Sequence, residues 1–180
     1  MDCGSLYNCL PRAIVRTGAT RSAPFLKQHG TRTCGSCTAC CDGWLQIEVR
    51  GHKVGKGQPC PFSVAQHCTI YLERPQHPCR EFVCGWLVTS SPLPDWMRPD
   101  RSDMIMLAAN FFWRGLPVDV VVPAGARPKQ KALDWLTKFS AEKKRLLLYQ
   151  IGDDWFAFGP PDFQADISDR LARGEKPWGD

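Results

Sequence analysis

The stretch CGSCTACC, residues 34 to 41, sets Cys34, Cys37, Cys40 and Cys41 within eight positions. An ordinary apolar core has no use for so many thiols in one place, so this feature constrains the chain more than any other. Four more cysteines follow at Cys60, Cys68, Cys79 and Cys84, which places eight of the ten between residues 34 and 84. Only Cys3 and Cys9 lie outside that window, and residues 85 to 180 have none. With 180 residues, 43% of them hydrophobic, the chain can build a core without needing cross-links merely to fold.

Disulfides, metal ligands and redox-active thiols compete to explain such a cluster, and the cellular compartment usually separates them. The opening MDCGSLYNCLPRAIVRTGATRSAPF has no continuous apolar stretch of signal-peptide length. No apolar run approaches the roughly 18 to 20 residues that a membrane span requires. These features predict a cytoplasmic chain with reduced thiols and no membrane partner. Residues 1 to 33, with five Arg or Lys against Asp2 alone, read as a loosely ordered N-terminal extension. Spacing favours metal independently. A C-x-x-C pair lets two thiolates converge on one ion while the turn between them presents amide hydrogens to the sulfurs. Here two such pairs overlap as C-x-x-C-x-x-C and a fourth cysteine follows directly. Vicinal Cys40 and Cys41 point in different directions, which suits them to two different sites better than to bonding one another.

The second half of the cluster reads CPFSVAQHCTIYLERPQHPCREFVCGW, residues 60 to 86. Taken together, C-x-x-C-x-x-C-C, then C-P-F, then C-x-I-Y-x-x-R-P followed by C-R-x-F resembles the YkgJ-like cysteine-cluster family, a zinc- or iron-chelating domain. The resemblance covers about residues 34 to 105, with one residue more between Pro75 and Cys79 than the family pattern. It implies metal binding through Cys34, Cys37, Cys40, Cys41, Cys60, Cys68, Cys79 and Cys84, and it brings no established reaction with it. The group held is an iron–sulfur cluster or zinc, with two four-ligand sites expected. The run C-x-x-C-x-x-C with a remote Cys60 before Pro61 is similar to ferredoxin-type ligation, whereas two closed tetrahedral zinc sites account for all eight thiols.

Eight thiolates around two divalent ions leave a net charge of about −4, which needs neutralising where it is desolvated. Arg74 and Arg80 are the expected neutralisers, donating to a cluster sulfur or to a loop carbonyl; pairing with Glu73, Glu81 or Asp42 is the alternative. His67 and His77 flank cysteines, but eight thiols fill two four-ligand sites without them, so both are expected at the solvent face. Trp44, Tyr71, Phe82 and Trp86 are expected to form a hydrophobic shell over the ligands.

Beyond Cys84 the pattern changes. Residues 103 to 125 hold two β-prone apolar runs separated by Arg114, Gly115, Leu116 and Pro117, which predicts a hairpin. PKQKALDWLTKFSAEKKR places Leu133, Leu136 and Phe139 on one helical side. RLLLYQIGDDWFAFG repeats the hairpin pattern, with Gly152, Asp153 and Asp154 as the turn. Phe163, Ile167 and Leu171 then recur every four residues in a last helix that Gly174 stops. The expected fold class is α+β: a cysteine-rich metal-binding loop module packed on an antiparallel β-sheet of two hairpins with two or more helices. Residues 34 to 180 read as one domain, comprising a metal module at 34–89 and a hairpin-helix-hairpin-helix part at 103–174.

The net charge is +5, but it is unevenly spread. Residues 127 to 145 carry seven basic and two acidic residues, and residues 146 to 180 carry three basic and seven acidic. A solvated helix face is the usual reading of this patch and an acidic protein partner the alternative; nucleic acid is not expected, because bound metal thiolates would cancel most of the net charge. Flagellin lysine methylases have a related cysteine cluster, so a metal-dependent protein-modifying enzyme or subunit is the alternative to a structural, carrier or redox-accessory metal protein. The chain is short for that activity. HKVGKGQ, residues 52 to 58, lacks the strand-loop-helix context of a nucleotide or methyl-donor site, and no G-x-S-x-G or H-E-x-x-H is present.

Overall fold

Leu146, Leu147 and Leu148 are each 1% exposed, which happens to a strand only when both faces of its sheet are covered. They begin the seventh of eight strands in the computed structural model, which describes residues 32–125 and 127–178, without the side chains of Ala109 and Asn110. Cys3, Cys9 and the expected extension up to residue 31 lie outside the described residues.

Four strands form the main sheet: β5 (Met104–Trp113), β6 (Leu116–Pro123), β7 (Leu146–Ile151) and β8 (Asp154–Phe158), in the order β5-β6-β7-β8. The two expected hairpins are present. β5 and β6 are antiparallel across Arg114 and Gly115, both at positive φ (49° and 82°), the backbone geometry that fits a two-residue turn to the twist of its strands. β7 and β8 are antiparallel across Gly152 and Asp153. Both turns are tighter than the sequence suggested, since Leu116, Pro117 and Asp154 already pair in the ladders.

The sheet is not wholly antiparallel as expected. β6 and β7 pair in parallel, from Val118 opposite Leu146 to Val121 opposite Tyr149. The helix α2 (Gln130–Lys143) lies between them in the chain. It carries the chain back along the sheet, so β7 enters in the direction of β6 and the hairpins join as a crossover. Side-chain alternation divides the two covers. Leu147 and Tyr149 pack with Ala132, Leu136 and Trp135 of α2 and with Leu93 and Met97, whereas Leu146 and Leu148 pack with Phe163, Ile167 and Leu171 of α3 (Pro161–Ala172). The α3 positions are those its four-residue periodicity predicts. On α2, Leu133 and Leu136 are buried as expected, while Phe139 is half-buried and stacks on Trp135 at 5.0 Å.

Residues 32 to 98 lie against the α2 side of the sheet. They hold the short hairpins β1–β2 (Ile47–Val49, His52–Val54) and β3–β4 (Ser63–Val64, His67–Cys68), a wide turn at Gln76–Arg80 and a 3₁₀ turn at Asp95–Met97; a one-turn helix α1 (Pro99–Ser102) follows. Two points tie this segment to the sheet. The Gly85 amide donates to the Met106 carbonyl at 2.7 Å, and Cys84 bridges to Leu107. A Cβ on Gly85 would stand 2.8 Å from Met106 Cγ, so this approach requires glycine. Lys56 adds a link, pairing with Asp153 of the β7–β8 turn at 2.8 Å, while Arg32 braces the segment internally, donating to the Trp86 carbonyl at 3.0 Å and pairing with Asp95 at 2.8 Å.

Phe163 is fully buried and meets Trp113 edge-on at 5.4 Å. Phe163→Ala is expected to cost about 3–5 kcal/mol in denaturant unfolding. Phe112, 63% exposed on the same sheet, should lose less than about 0.5 kcal/mol on the same substitution.

Candidate metal centre

Each half of the cysteine segment is built from turns that begin on a cysteine. The carbonyl of Cys34 accepts from the Cys37 amide at 2.9 Å, as the C-x-x-C spacing predicts. The same closure recurs from Cys60 to Ser63 (3.0 Å), Cys68 to Tyr71 (3.2 Å) and Cys84 to Leu87 (2.9 Å), where no second cysteine marks it. Such turns leave their amides facing the sulfur. The amides of Trp86 and Leu87 do so at Cys84, and those of Ala39 and Asp100 at Cys37.

All eight cysteines described are free, and they fall into two groups of four. Cys37, Cys40 and Cys84 pack with the main core, around Ala39, Leu45 and Trp86. Cys34, exposed at the surface, is close enough for its charge to act on both Cys40 and Cys84. Cys41, Cys60 and Cys79 pack instead in a small separate cluster with Val49 and Val54, and Cys68 acts on both Cys41 and Cys79. The vicinal pair is therefore divided, Cys40 to the first foursome and Cys41 to the second. Two backbone features enforce this. The Cys60 amide donates to the Cys41 carbonyl at 2.8 Å, and Gly43 turns the chain at φ +91° with the Gly55 carbonyl where a Cβ would be. The remote cysteine that packs with Cys37 and Cys40 is Cys84, before Gly85, whereas Cys60, before Pro61, packs with Cys41 and Cys79. Among the described residues, no group of three or more His, Cys, Asp or Glu side chains forms a ready-made ion cage, so the foursomes are neighbourhoods rather than closed coordination shells.

Burial raises the thiols of Cys34, Cys37, Cys40, Cys41, Cys79 and Cys84. It pushes Cys41 up from 9.0 to about 12, with Cys60, Cys68 and Cys79 adding repulsion. Burial likewise takes Cys84 to about 11 against the pull of its two amides, and Cys40 rises well above the ordinary value through burial and then repulsion from Cys84. A thiolate at Cys40, Cys41 or Cys84 lacks water and meets other thiolates, so these three stay protonated near neutrality without metal.

The expected arginines take the carbonyl role. Arg80 donates to the carbonyls of Arg74 (2.9 Å) and Leu72 (2.6 Å), bracing the loop before Cys79. Arg74 donates to the Tyr71 carbonyl at 2.9 Å and lies over the Tyr71 ring at 3.8 Å, and its charge acts on Cys34 and Cys79, one from each foursome. Sequence reasoning missed Arg98. Paired with Asp100 at 2.6 Å, it lies 3.6 Å from the position of a Gly35 Cβ, and its charge acts on Cys34 and Cys37. No local signal could find it, because the Pro-rich segment 90–100 carries Arg98 back over the first turn only in the folded chain. His67 is exposed, and His77 is exposed with Nδ1 3.0 Å from Glu81. Trp44, Phe82 and Trp86 cover the first foursome, while Tyr71 is 59% exposed. Trp86 Nε1 is buried with no hydrogen-bond partner.

The basic stretch 127–145 is partly satisfied within the chain. Arg145 forms a two-pronged pair with Asp119 at 2.7 Å, Lys129 lies 3.7 Å from Asp103, and Lys131 sits over Trp96. Among the described residues, no helix is long and apolar enough to cross a membrane. Beside the second foursome, a cavity of about 1210 Å³ opens between β1–β2, the turn at 76–80 and β5. Comparisons with protein-family models, with curated proteins and with solved structures give no match.

The raised thiols set a pH dependence for reduced protein in which Cys41 carries no metal. Below pH 9 the Cys41 thiol is protonated whether folded or unfolded; above it the unfolded chain releases its proton first, so the unfolded state is favoured progressively until the folded thiol ionises near 12. Denaturant midpoints should therefore fall more steeply between about pH 8 and about pH 10 for native protein than for Cys41→Ala.

Proposed function

We propose that this chain is a cysteine-cluster metal-binding protein that holds an iron–sulfur cluster or zinc through Cys34, Cys37, Cys40, Cys41, Cys60, Cys68, Cys79 and Cys84, in a structural, carrier or redox-accessory role. The observation that carries the reading is the division of eight free cysteines into two foursomes, which matches the four-coordinate demand of zinc and of a cubane cluster. The donor chemistry supports it. Buried mutually repelling thiols gain most from a cation that replaces their protons, and the turn amides stand ready to donate to the ionised sulfurs. The Trp86 indole N–H is buried without a partner in the cluster that holds Cys84, and a thiolate or sulfide within its reach would supply the missing acceptor. Metal, once bound, closes turns that otherwise have little core of their own. The resemblance to the YkgJ-like family agrees with this reading, and a cytoplasmic setting keeps the thiols reduced.

The alternative, a metal-dependent protein-modifying enzyme or subunit akin to flagellin lysine methylases, draws on the cavity beside the second foursome. Calorimetric binding of a methyl donor would favour it.

Elemental analysis of protein purified anaerobically from iron- and zinc-replete cells tests the proposal. About two zinc ions per chain, or brown protein whose colour bleaches on reduction, is the expected result. Cys37→Ser and Cys60→Ser should each lower metal content by about half. Equal losses from Cys3→Ser would overturn the assignment.

A further inference from the structure

The two foursomes are built into different cores, and from this we infer that they have different roles: the first is a folding site, and the second is an exchangeable site that can empty and refill while the rest of the chain stays folded. The inference rests on the metal-binding reading above and goes beyond it.

Cys84 of the first foursome is part of the main core, with Leu93, Met97, Met104, Met106 and Leu147. Its neighbours in the chain carry the Gly85–Met106 hydrogen bond and the bridge to Leu107, so it is fastened to β5 directly. Emptying this site would leave Cys37, Cys40 and Cys84 unligated against the main core. Among the described residues, the second foursome has no such backbone connection; its segment reaches the sheet half through the exposed Lys56–Asp153 pair at 2.8 Å and through Ile47, which packs with both clusters. Its cluster holds only Val49, Val54 and Cys60 as fully buried members, and its own hairpin β3–β4 is two residues a strand, too short to persist alone.

Chain topology reinforces the difference. The ligands of the second foursome run from Cys41 to Cys79, wholly inside the span from Cys40 to Cys84 that the first foursome closes. Trp44, Leu45 and Ile47 of that span stay with the main core, so residues 48 to 79 are an excursion whose two ends are both held there. Opening the excursion frees a loop without releasing its anchors, and closing a loop again from fixed ends costs little. The cavity of about 1210 Å³ separates much of this excursion from β5, so its opening does not uncover the sheet. Solvent also reaches it: Val64, Tyr71 and Leu72, on either side of Cys68, are 55%, 59% and 86% exposed. Local opening of this kind is how a bound ion meets a competing ligand.

Tryptophans provide the readout. Trp44, Trp86 and Trp96 pack with the main core and none packs in the second cluster. Protein isolated anaerobically with its metal is titrated with EDTA while native mass spectrometry counts bound metal and tryptophan emission is followed. The expected result is two phases: about half the metal leaves first with emission unchanged, and the remainder leaves later with a red shift. Cys68→Ser should keep about half the metal, native emission and a cooperative melt. Cys84→Ser should lose the native emission. Loss of all metal in one phase, an emission change accompanying the first loss, or loss of both metals in Cys68→Ser would overturn the inference and leave the metal-binding reading standing. Protein isolated without metal would overturn both.

Discussion

Cys84 and Gly85 form the junction on which the arrangement depends. A single backbone hydrogen bond from Gly85 to Met106 lays the cysteine segment on the edge of β5. The absence of a Cβ at Gly85 lets the Met106 side chain close against it. Through that contact the first foursome, the loop carrying Leu93 and Met97, and the α2 side of the sheet become one apolar cluster. The segment 32–98 has little regular structure and few buried residues of its own, so its order derives from what it is fastened to.

Electrostatics runs against this packing. Gathering thiols in a protein interior raises the free energy of their ionised forms through lost hydration and mutual repulsion, and Cys41 and Cys84 show it most plainly. Arg74 and Arg98 counter part of that, and turn amides counter more. Neither arginine is spent on a cysteine alone. Arg74 also holds the Tyr71 carbonyl and stacks on its ring, and Arg98 is clamped by Asp100. The positive charge is thus held in place by contacts within the chain.

Local periodicity made much of the sheet half legible. Phe163, Ile167 and Leu171 announce α3 through their four-residue spacing, and Arg114–Gly115 and Gly152–Asp153 announce hairpins, because these signals depend on neighbours in the chain. The parallel pairing of β6 with β7 depends on where a helix lands and has no local signature. Burial in the segment 90–100 has no local signature either, yet Leu93 and Met97 are each 1% exposed.

The cysteine spacing alone determined that thiols cluster, that Cys40 and Cys41 diverge, and that a turn follows Cys34, since tetrahedral side-chain geometry and short-range hydrogen bonds are set within a few residues. Which remote cysteine completes which group was decided by tertiary structure. Cys60 and Cys84 are both distant from the C-x-x-C-x-x-C run, and either spacing could close it. Pairing of the Cys60 amide with the Cys41 carbonyl commits Cys60 to the second group, and docking of Gly85 on Met106 commits Cys84 to the first. Both are long-range backbone contacts, whose partners are chosen by how the whole chain packs and not by the residues beside them.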